Sequence, residues 1–300
     1  MTVIFVYNNA AVGGDSRYFL FMMKMRLSYS TCPNDTFIFY AIANKKIDLE
    51  GIEFEISMHD IDVLNKNAAS DDAPEITKIS SNAYGIDLWK RYVTLDAGAA
   101  LGRNNGPMLV AAKYFDPQEM ASKRILIPGV NTTANLLFSV FFPDAKDKTP
   151  MLFSRIEGEV LSGNYDCGLL IHEGRFTYKE RGLVKIIDFG EQWENVMHHP
   201  IPLGTIIARR DIGIDTAQKV SRIIRRSIEY AYAHTDEAMP YIRNYARELS
   251  DNVIKSHIGL YVNDFSIDLG KEGKDAITFL YQKALEVGMI EQMPEKMFLE

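Results

Sequence analysis

Residues 26–58 read RLSYSTCPNDTFIFYAIANKKIDLEGIEFEISM and contain one complete strand–helix–strand unit. The first five residues are strand-like, and residues 32–36 supply the turn and capping residues that are typical of a helix start. Residues 37–43 then predict a helix. In residues 51–58 apolar and polar side chains alternate with the period of two that indicates a strand with one buried face.

The same alternation of short strand patterns with longer helical patterns continues along the 300-residue chain. It predicts an α/β protein in which helices cover both faces of a parallel sheet. From residue 215 onward the spacing is helical throughout, so a helical C-terminal region is expected.

Two segments predict where the chain passes between two lobes. Residues 98–107 are rich in glycine and asparagine and lead into an apolar strand, and residues 202–209 form a strand that returns to the first lobe. The predicted division is lobe 1 at residues 25–110 plus 204–300, and lobe 2 at residues 111–203. Residues 1–24 are interpreted as an extension or an over-called start, because Met25 directly precedes the first strand.

Composition excludes several classes of protein. The formal net charge of −7 and the pI near 5.5 argue against a nucleic-acid-binding surface, which needs a basic patch. No apolar run approaches the roughly 18 residues that span a bilayer, so no membrane insertion is expected. Because the N-terminal residues lack the pattern of a signal peptide, a cytoplasmic protein is expected, and an oligomer is possible.

Polar turns follow several predicted strands, and ligands of open α/β sheets bind at these carboxyl ends. The turns are Asn34-Asp35-Thr36, Ser80-Ser81, Thr132-Thr133 and His172-Glu173. A helix N-terminus offers free N–H groups and a partial positive charge, so the expected ligand is a small anion such as a carboxylate. Simple helix capping is the competing interpretation for Ser80 and Thr132.

His172 is the sharpest single candidate, because it follows a buried strand and should emerge at the strand's C-terminal end. A neutral imidazole with a pKa of about 6.5 can remove a proton near neutral pH, although a histidine at a strand end is as often a structural residue. Glu173 and Asp166 are candidates for orienting it.

The remaining histidines and Cys32 are interpreted as structural residues. His198 and His199 are adjacent and lack a third ligand at metal spacing, so no metal site is predicted. Three more histidines are interpreted as surface or core residues, His59, His234 and His257, and Cys32 is interpreted as a turn residue with a packing role.

Three segments together resemble a known family. They are STCPNDTFIFY at residues 30–40, PGVNTTA at residues 128–134 and DCGLLIHEGRFTY at residues 166–178, with the short KIS at residues 78–80 between the first two. Their sequences and order are similar to those of 1,4-dihydroxy-6-naphthoate synthases, and the similarity extends essentially from Met25 to the C-terminus.

The resemblance implies a fold like that of type II periplasmic binding proteins, with a ligand cleft between two lobes. It implies a lyase of the futalosine route to menaquinone that converts cyclic dehypoxanthinyl futalosine to 1,4-dihydroxy-6-naphthoate without a redox cofactor or a metal. His172 matches the family's proton acceptor. The matching substrate-binding residues are Lys78, Ile79, Ser80, Thr132 and Thr133, to which we add Asn34 and Asp35 from their place at a strand end.

Two alternatives stay open. Chorismate dehydratase of the same pathway shares the fold and also binds a carboxylate, and a non-catalytic small-anion binding protein would use the same cleft.

Overall fold

The computed structural model describes residues 2–6, 20–172, 174–246 and 250–299. They form two mixed sheets with helices packed around each. Two short lengths of chain connect the sheets, so the molecule has two lobes.

The seven-stranded sheet defines the first lobe. Its strands are β1 (Thr2–Val6), β2 (Leu20–Tyr29), β3 (Ile52–Met58), β4 (Ile76–Ser80), β5 (Tyr92–Thr94), β6 (Ala100–Gly102) and β12 (Ile201–Arg209). The order is β1-β2-β4-β12-β5, with β3 pairing to β2 and β6 to β12. The strand predicted to begin at residue 26 corresponds to β2. It begins earlier than predicted, at Leu20, and includes Met25, which is buried.

The five-stranded sheet defines the second lobe, in the order β11-β7-β10-β8-β9. Its strands are β7 (Met108–Ala111), β8 (Ile125–Ile127), β9 (Lys148–Pro150), β10 (Cys167–Leu170) and β11 (Val184–Asp188). The predicted lobe boundaries at 110/111 and 203/204 therefore fall inside β7 and β12, respectively. By sheet membership, the chain crosses at residues 103–107 and again just before Ile201.

The helices of the first lobe and its C-terminal region are α1 (Pro33–Ile38), α2 (Tyr40–Ala43), α3 (Ile61–Ala69), α4 (Ser81–Ile86), α9 (Ile214–Ala233), α10 (Thr235–Tyr245), α11 (Asp251–Tyr261), α12 (Asp264–Ile267) and α13 (Gly270–Glu286). Those of the second lobe are α5 (Thr133–Phe141), α6 (Phe153–Leu161), α7 (Gly174–Thr177) and α8 (Phe189–Met197). Short 3-10 turns occur at Leu88–Lys90, Pro117–Ser122 and Arg210–Ile212. The predicted helical C-terminal region is confirmed.

The sheets are mixed, which corrects the expectation of a parallel sheet. β2 pairs in parallel with β3 and β4, but β12 runs antiparallel to β4, and β7 runs antiparallel to β10. β1 also runs antiparallel to its neighbour β2. Of these strands, β12 and β7 are the ones that follow a crossing. A strand that arrives from the other lobe enters its sheet at the end facing that lobe, so it must run against the strands that end there.

Packing accounts for the long C-terminal region. Helices α9, α10 and α11 pack with α1, while α13 packs against β12, α4 and α5. Ile224 of α9 shares one buried apolar cluster with Leu27 and Ile206 of the sheet, so the first group covers an apolar face of that sheet. Within the described ranges, no helix combines the length and apolar composition needed to cross a bilayer.

Candidate active site

One cleft receives side chains from both lobes and from the crossing segments. The predicted site residues that line it are Asn34, Asp35, Lys78, Ser80, Thr132, Thr133 and His172. Ile79 is the exception, because its side chain is fully buried in the core and lies outside the cleft lining. Strand alternation explains this, since neighbouring residues of β4 point to opposite faces.

His172 lies two residues beyond the end of β10, as the sequence predicted, and its backbone has a left-handed φ of 57°. Few residues other than glycine adopt this conformation, although histidine, asparagine and aspartate do so more readily than most. The strand therefore ends in a sharp turn, and the half-buried imidazole lines the cleft. Such unusual conformations concentrate at functional sites.

Two described residues contact the imidazole of His172, and neither was considered for orienting it. Its Nδ1 lies 3.2 Å from Cys32 Sγ, and its ring packs edge-on against Phe153 with centroids 4.9 Å apart. Asp166 lies just before β10, at the opposite end of the strand from His172, and binds Arg124 at 3.0 Å, so it does not orient the histidine. Glu173 lies outside the described residues. Cys32, interpreted from sequence as a packing residue, is thus a direct partner of the candidate base.

The start of α5 lies at the cleft, and a helix N-terminus carries backbone N–H groups that can bind an anion. Thr132 caps this helix by accepting from Asn135 N at 3.3 Å, and Thr133 Oγ1 donates to Leu203 O at 2.8 Å. Both hydroxyls thus have partners within the protein, and Thr133 also accepts from Asn82 N across the lobe boundary at 3.3 Å. The groups of α5 best suited to a carboxylate are therefore the first backbone N–H groups of the helix, at Thr133 and Ala134.

Ser80 ends β4 and lines the same cleft. Asn65 holds it from α3: Asn65 Oδ1 accepts from Ser80 N at 2.9 Å, and Asn65 Nδ2 lies 3.2 Å from Ser80 Oγ. Because the amide donates to the hydroxyl oxygen, the hydroxyl proton remains for another acceptor. Ser80 is therefore oriented as a donor.

Lys78 and Asp35 form a buried ion pair at the cleft wall. Lys78 Nζ lies 2.9 Å from Asp35 Oδ1, and their side chains are only 5% and 2% exposed. Asp35 also accepts from Ser30 Oγ at 2.6 Å and from Asn34 Nδ2 at 2.8 Å. The ammonium and the carboxylate therefore engage each other first, and this network fixes the turn before α1.

His257 was missed by the sequence analysis, which assigned it to surface or core packing. It lies on α11, is 1% exposed and lines the cleft beside His172. The two imidazole rings are nearly parallel, at an angle of 16°, with centroids 6.5 Å apart. Burial lowers the pKa of His257 well below its usual value, and nearby His172 lowers it further. Its spacing of four residues from Tyr261, which also lines the cleft, was the only available sequence signal.

We expect the neutral state of His257 to make stability depend on pH. The unfolded chain takes up a proton at this residue near pH 6.5, whereas the folded chain does not, so the free energy of unfolding falls as pH drops below about 6.5. The slope from one group is at most about 1.4 kcal/mol per pH unit. His172 and Tyr261 are the titratable groups whose rings face it, and Asp35 and Lys78 line the same cleft.

The measurement is denaturant unfolding of the wild type and of His257→Leu at pH 7.5 and pH 5.5. The variant should lose less stability over this interval than the wild type. Equal losses would show that His257 is protonated in the folded protein.

Arg175 connects the histidine segment to the first crossing. Its guanidinium donates to Gly106 O at 2.6 Å, to Asn104 O at 2.9 Å and to Asp188 Oδ2 at 2.6 Å. Asp188 also caps α8 through Gly190 N at 2.8 Å. Residues 105–107 line the cleft, so Arg175 positions part of its wall. Gly106 is required here, because a Cβ would lie 2.5 Å from Gly190 N.

Arg175→Lys should lower the free energy of unfolding by about 1.5–3 kcal/mol, because lysine keeps the charge but loses the fork that reaches three acceptors. Arg155→Lys is the matched control, since Arg155 is exposed and pairs with Glu159 at 3.2 Å. It should change stability by less than about 0.5 kcal/mol. Equal effects of the two substitutions in urea unfolding would contradict this role for Arg175.

The next feature is the spacing of side chains that could bind a metal ion. Within its described ranges, no three His, Cys, Asp or Glu side chains come together as they would around a metal ion. His199 instead stacks on Phe279 with ring centroids 4.3 Å apart, and His198 ends α8 in a left-handed conformation.

This chain is similar to known proteins of menaquinone biosynthesis. A menaquinone-biosynthesis family model matches residues 25–286. A Thermus thermophilus protein named 1,4-dihydroxy-6-naphthoate synthase is 40% identical over 280 residues, covering 93% of this chain and all of the relative. A Streptomyces coelicolor protein of the same name is 36% identical over 276 residues, covering 89% of this chain and 94% of the relative. The chain belongs to this family.

The resemblance of the sequence to 1,4-dihydroxy-6-naphthoate synthases is thus confirmed. Its assignment to the enzymes of menaquinone biosynthesis is confirmed as well. A solved structure from Archaeoglobus fulgidus has a TM-score of 0.82 and 36% identity, covering 89% of this chain and 98% of the other. The periplasmic aliphatic sulphonate-binding protein of Escherichia coli has a TM-score of 0.63 at 9% identity, covering 91% and 90%. The second likeness concerns the fold alone and confirms the periplasmic-binding-protein architecture.

Proposed function

We propose that this protein is a cytoplasmic carbon–carbon lyase that converts cyclic dehypoxanthinyl futalosine to 1,4-dihydroxy-6-naphthoate, with His172 as the general base. Membership in the menaquinone-biosynthesis family supports the pathway, and the names of the two relatives support the reaction. The observation that carries the mechanism is the position of His172, which lies at a strand end in the same cleft as Ser80 and the start of α5.

The proposed base works through one tautomer of His172. If Nδ1 carries its proton and donates toward Cys32 Sγ, the lone pair lies on Nε2. The base removes a proton from the carbon next to a carbonyl, and the electron pair of that C–H bond shifts into the substrate as the aromatic product forms. A positioned base therefore suffices for this step. Cys32 and Phe153 hold the ring on two sides, which restricts its orientation.

The substrate carboxylate is proposed to bind at the N-terminus of α5. The backbone N–H groups of Thr133 and Ala134 and the hydroxyl of Ser80 supply donors from opposite lobes. Because Thr133 already contacts Leu203 and Asn82, the helix start is fixed relative to the first lobe. Lys78 contributes through Asp35 and the turn before α1 rather than as a free cation.

The deciding assay incubates purified, EDTA-treated protein with cyclic dehypoxanthinyl futalosine and follows 1,4-dihydroxy-6-naphthoate by mass spectrometry. Product formation without added metal or redox cofactor is expected. Formation of 3-enolpyruvylbenzoate from chorismate would support chorismate dehydratase instead. Tight binding of the futalosine compound without any product would indicate a binding protein.

A further inference from the structure

His257 is a buried polar group whose ring nitrogens have no hydrogen-bond partner in the described part of the protein. It is 1% exposed, yet it lines the cleft. Buried polar groups in folded proteins are normally hydrogen-bonded, and an unpaired one lowers stability. A side chain retained only for packing at this position would be apolar, so the missing partner points to a ligand.

The side chains around His257 also indicate that its ring contacts a ligand. Its ring packs against Tyr261 with centroids 4.6 Å apart and against Phe176 at 6.3 Å. On the remaining side it faces His172 across 6.5 Å, with the two rings nearly parallel. Aromatic side chains thus hold the imidazole in place while it faces the cleft next to the candidate base. A substrate bound against His172 would be within reach of His257.

We propose that His257 is a second substrate-contacting histidine, which donates a hydrogen bond to the substrate oxygen that gains negative charge when His172 removes the proton. This inference rests on the proposed lyase function and adds a catalytic residue to it. Preorganised donors aimed at developing charge are among the largest contributions to catalysis.

The electron movement in this step is balanced within the substrate and His172. The C–H bond next to the carbonyl breaks, and its proton goes to His172. The electron pair of that bond forms a new carbon–carbon double bond, while the carbonyl π pair moves onto the oxygen. His257 keeps its own proton and only strengthens its hydrogen bond to that oxygen.

A neutral imidazole suits this role. Burial lowers the pKa of His257 well below its usual value, so the ring stays uncharged while His172 cycles between its two protonation states. A second positive charge 6.5 Å from His172 would disfavour proton uptake by the base. In this proposal His172 takes up the proton, while His257 remains neutral and acts as a hydrogen-bond donor.

The experiment compares His257→Leu, His257→Gln and the wild type by steady-state kinetics and thermal unfolding. His257→Leu should lower kcat by about 100-fold, the size of effect seen when one oxyanion donor is lost, with KM changed by less than about threefold. Its Tm without ligand should equal or exceed that of the wild type, because an unpaired polar group is removed. His257→Gln retains a donor and should recover at least about tenfold of the lost kcat.

Ser227→Ala is the control for a buried polar group that does have a partner. Ser227 is fully buried and donates to Ile38 O at 2.6 Å, outside the residues that line the cleft. This variant should show the opposite result, with a lower Tm and kcat unchanged within about twofold.

Two outcomes overturn the proposal. A kcat of His257→Leu within threefold of the wild type would remove His257 from catalysis, and a fall in Tm as large as that of Ser227→Ala would make the ring structural. If the wild type itself does not convert the substrate, the proposed function fails at that earlier point. The wild-type control therefore separates the two failures.

Discussion

His172→Asn should lower kcat by about 10³-fold, within the range of about 10²–10⁴ that positioned acid–base groups contribute. Asparagine tolerates the left-handed backbone at this position, so the variant should remain folded. KM should change little, because the carboxylate contacts at α5 and Ser80 are retained. Steady-state kinetics with the cyclic futalosine compound, together with circular dichroism, measures both effects.

His198→Asn is the matched control for this substitution. His198 has a φ of 58°, almost identical to the 57° of His172, but it is exposed at the end of α8 and lies outside the residues that line the cleft. It should leave kcat within about twofold of the wild type. Normal turnover by folded His172→Asn would refute the assignment of the base.

Lys78→Met should lower the free energy of unfolding by about 3–5 kcal/mol, because it leaves the Asp35 carboxylate buried without its cationic partner. A residue that only contacted substrate would change KM with little loss of stability. The double variant Lys78→Met/Asp35→Asn should recover part of the loss, since the uncompensated charge is then removed. Urea unfolding of the three proteins measures these differences.

Lys66→Met supplies the control. Lys66 also pairs with an aspartate, Asp62, at 2.6 Å, but its side chain is 71% exposed. Removing this exposed pair should cost less than about 1 kcal/mol. Similar losses of unfolding free energy for Lys66→Met and Lys78→Met would show that burial of the Lys78–Asp35 pair does not increase its effect on stability.

The local elements were largely predictable from sequence. The alternation in residues 51–58 predicted β3, and helix capping, one of the two interpretations given to Thr132, occurs at the start of α5. Strand direction was not predictable in the same way. β12 has a strand pattern like that of β4, and only its entry from the second lobe makes it antiparallel.

The candidate site was partly predictable for a related reason. Residues at strand ends, such as Ser80 and His172, can be found because apolar strands followed by polar turns leave a pattern. His257 leaves no such pattern, and the turn after the first strand that contains Cys32 does not reveal which residue Cys32 contacts. Cys32 contacts His172 across 140 positions of sequence, and His257 reaches the cleft from the C-terminal helical region.

Short-range order thus came from the sequence alone: alternating apolar residues define the strands, capping residues start the helices, and the segment around His172 places a histidine beyond a buried strand. The tertiary structure alone decided the partners of that histidine. Hydrophobic burial brings α11 and the turn before α1 together with β10, and no rule of local spacing encodes contacts between side chains that are so distant along the chain.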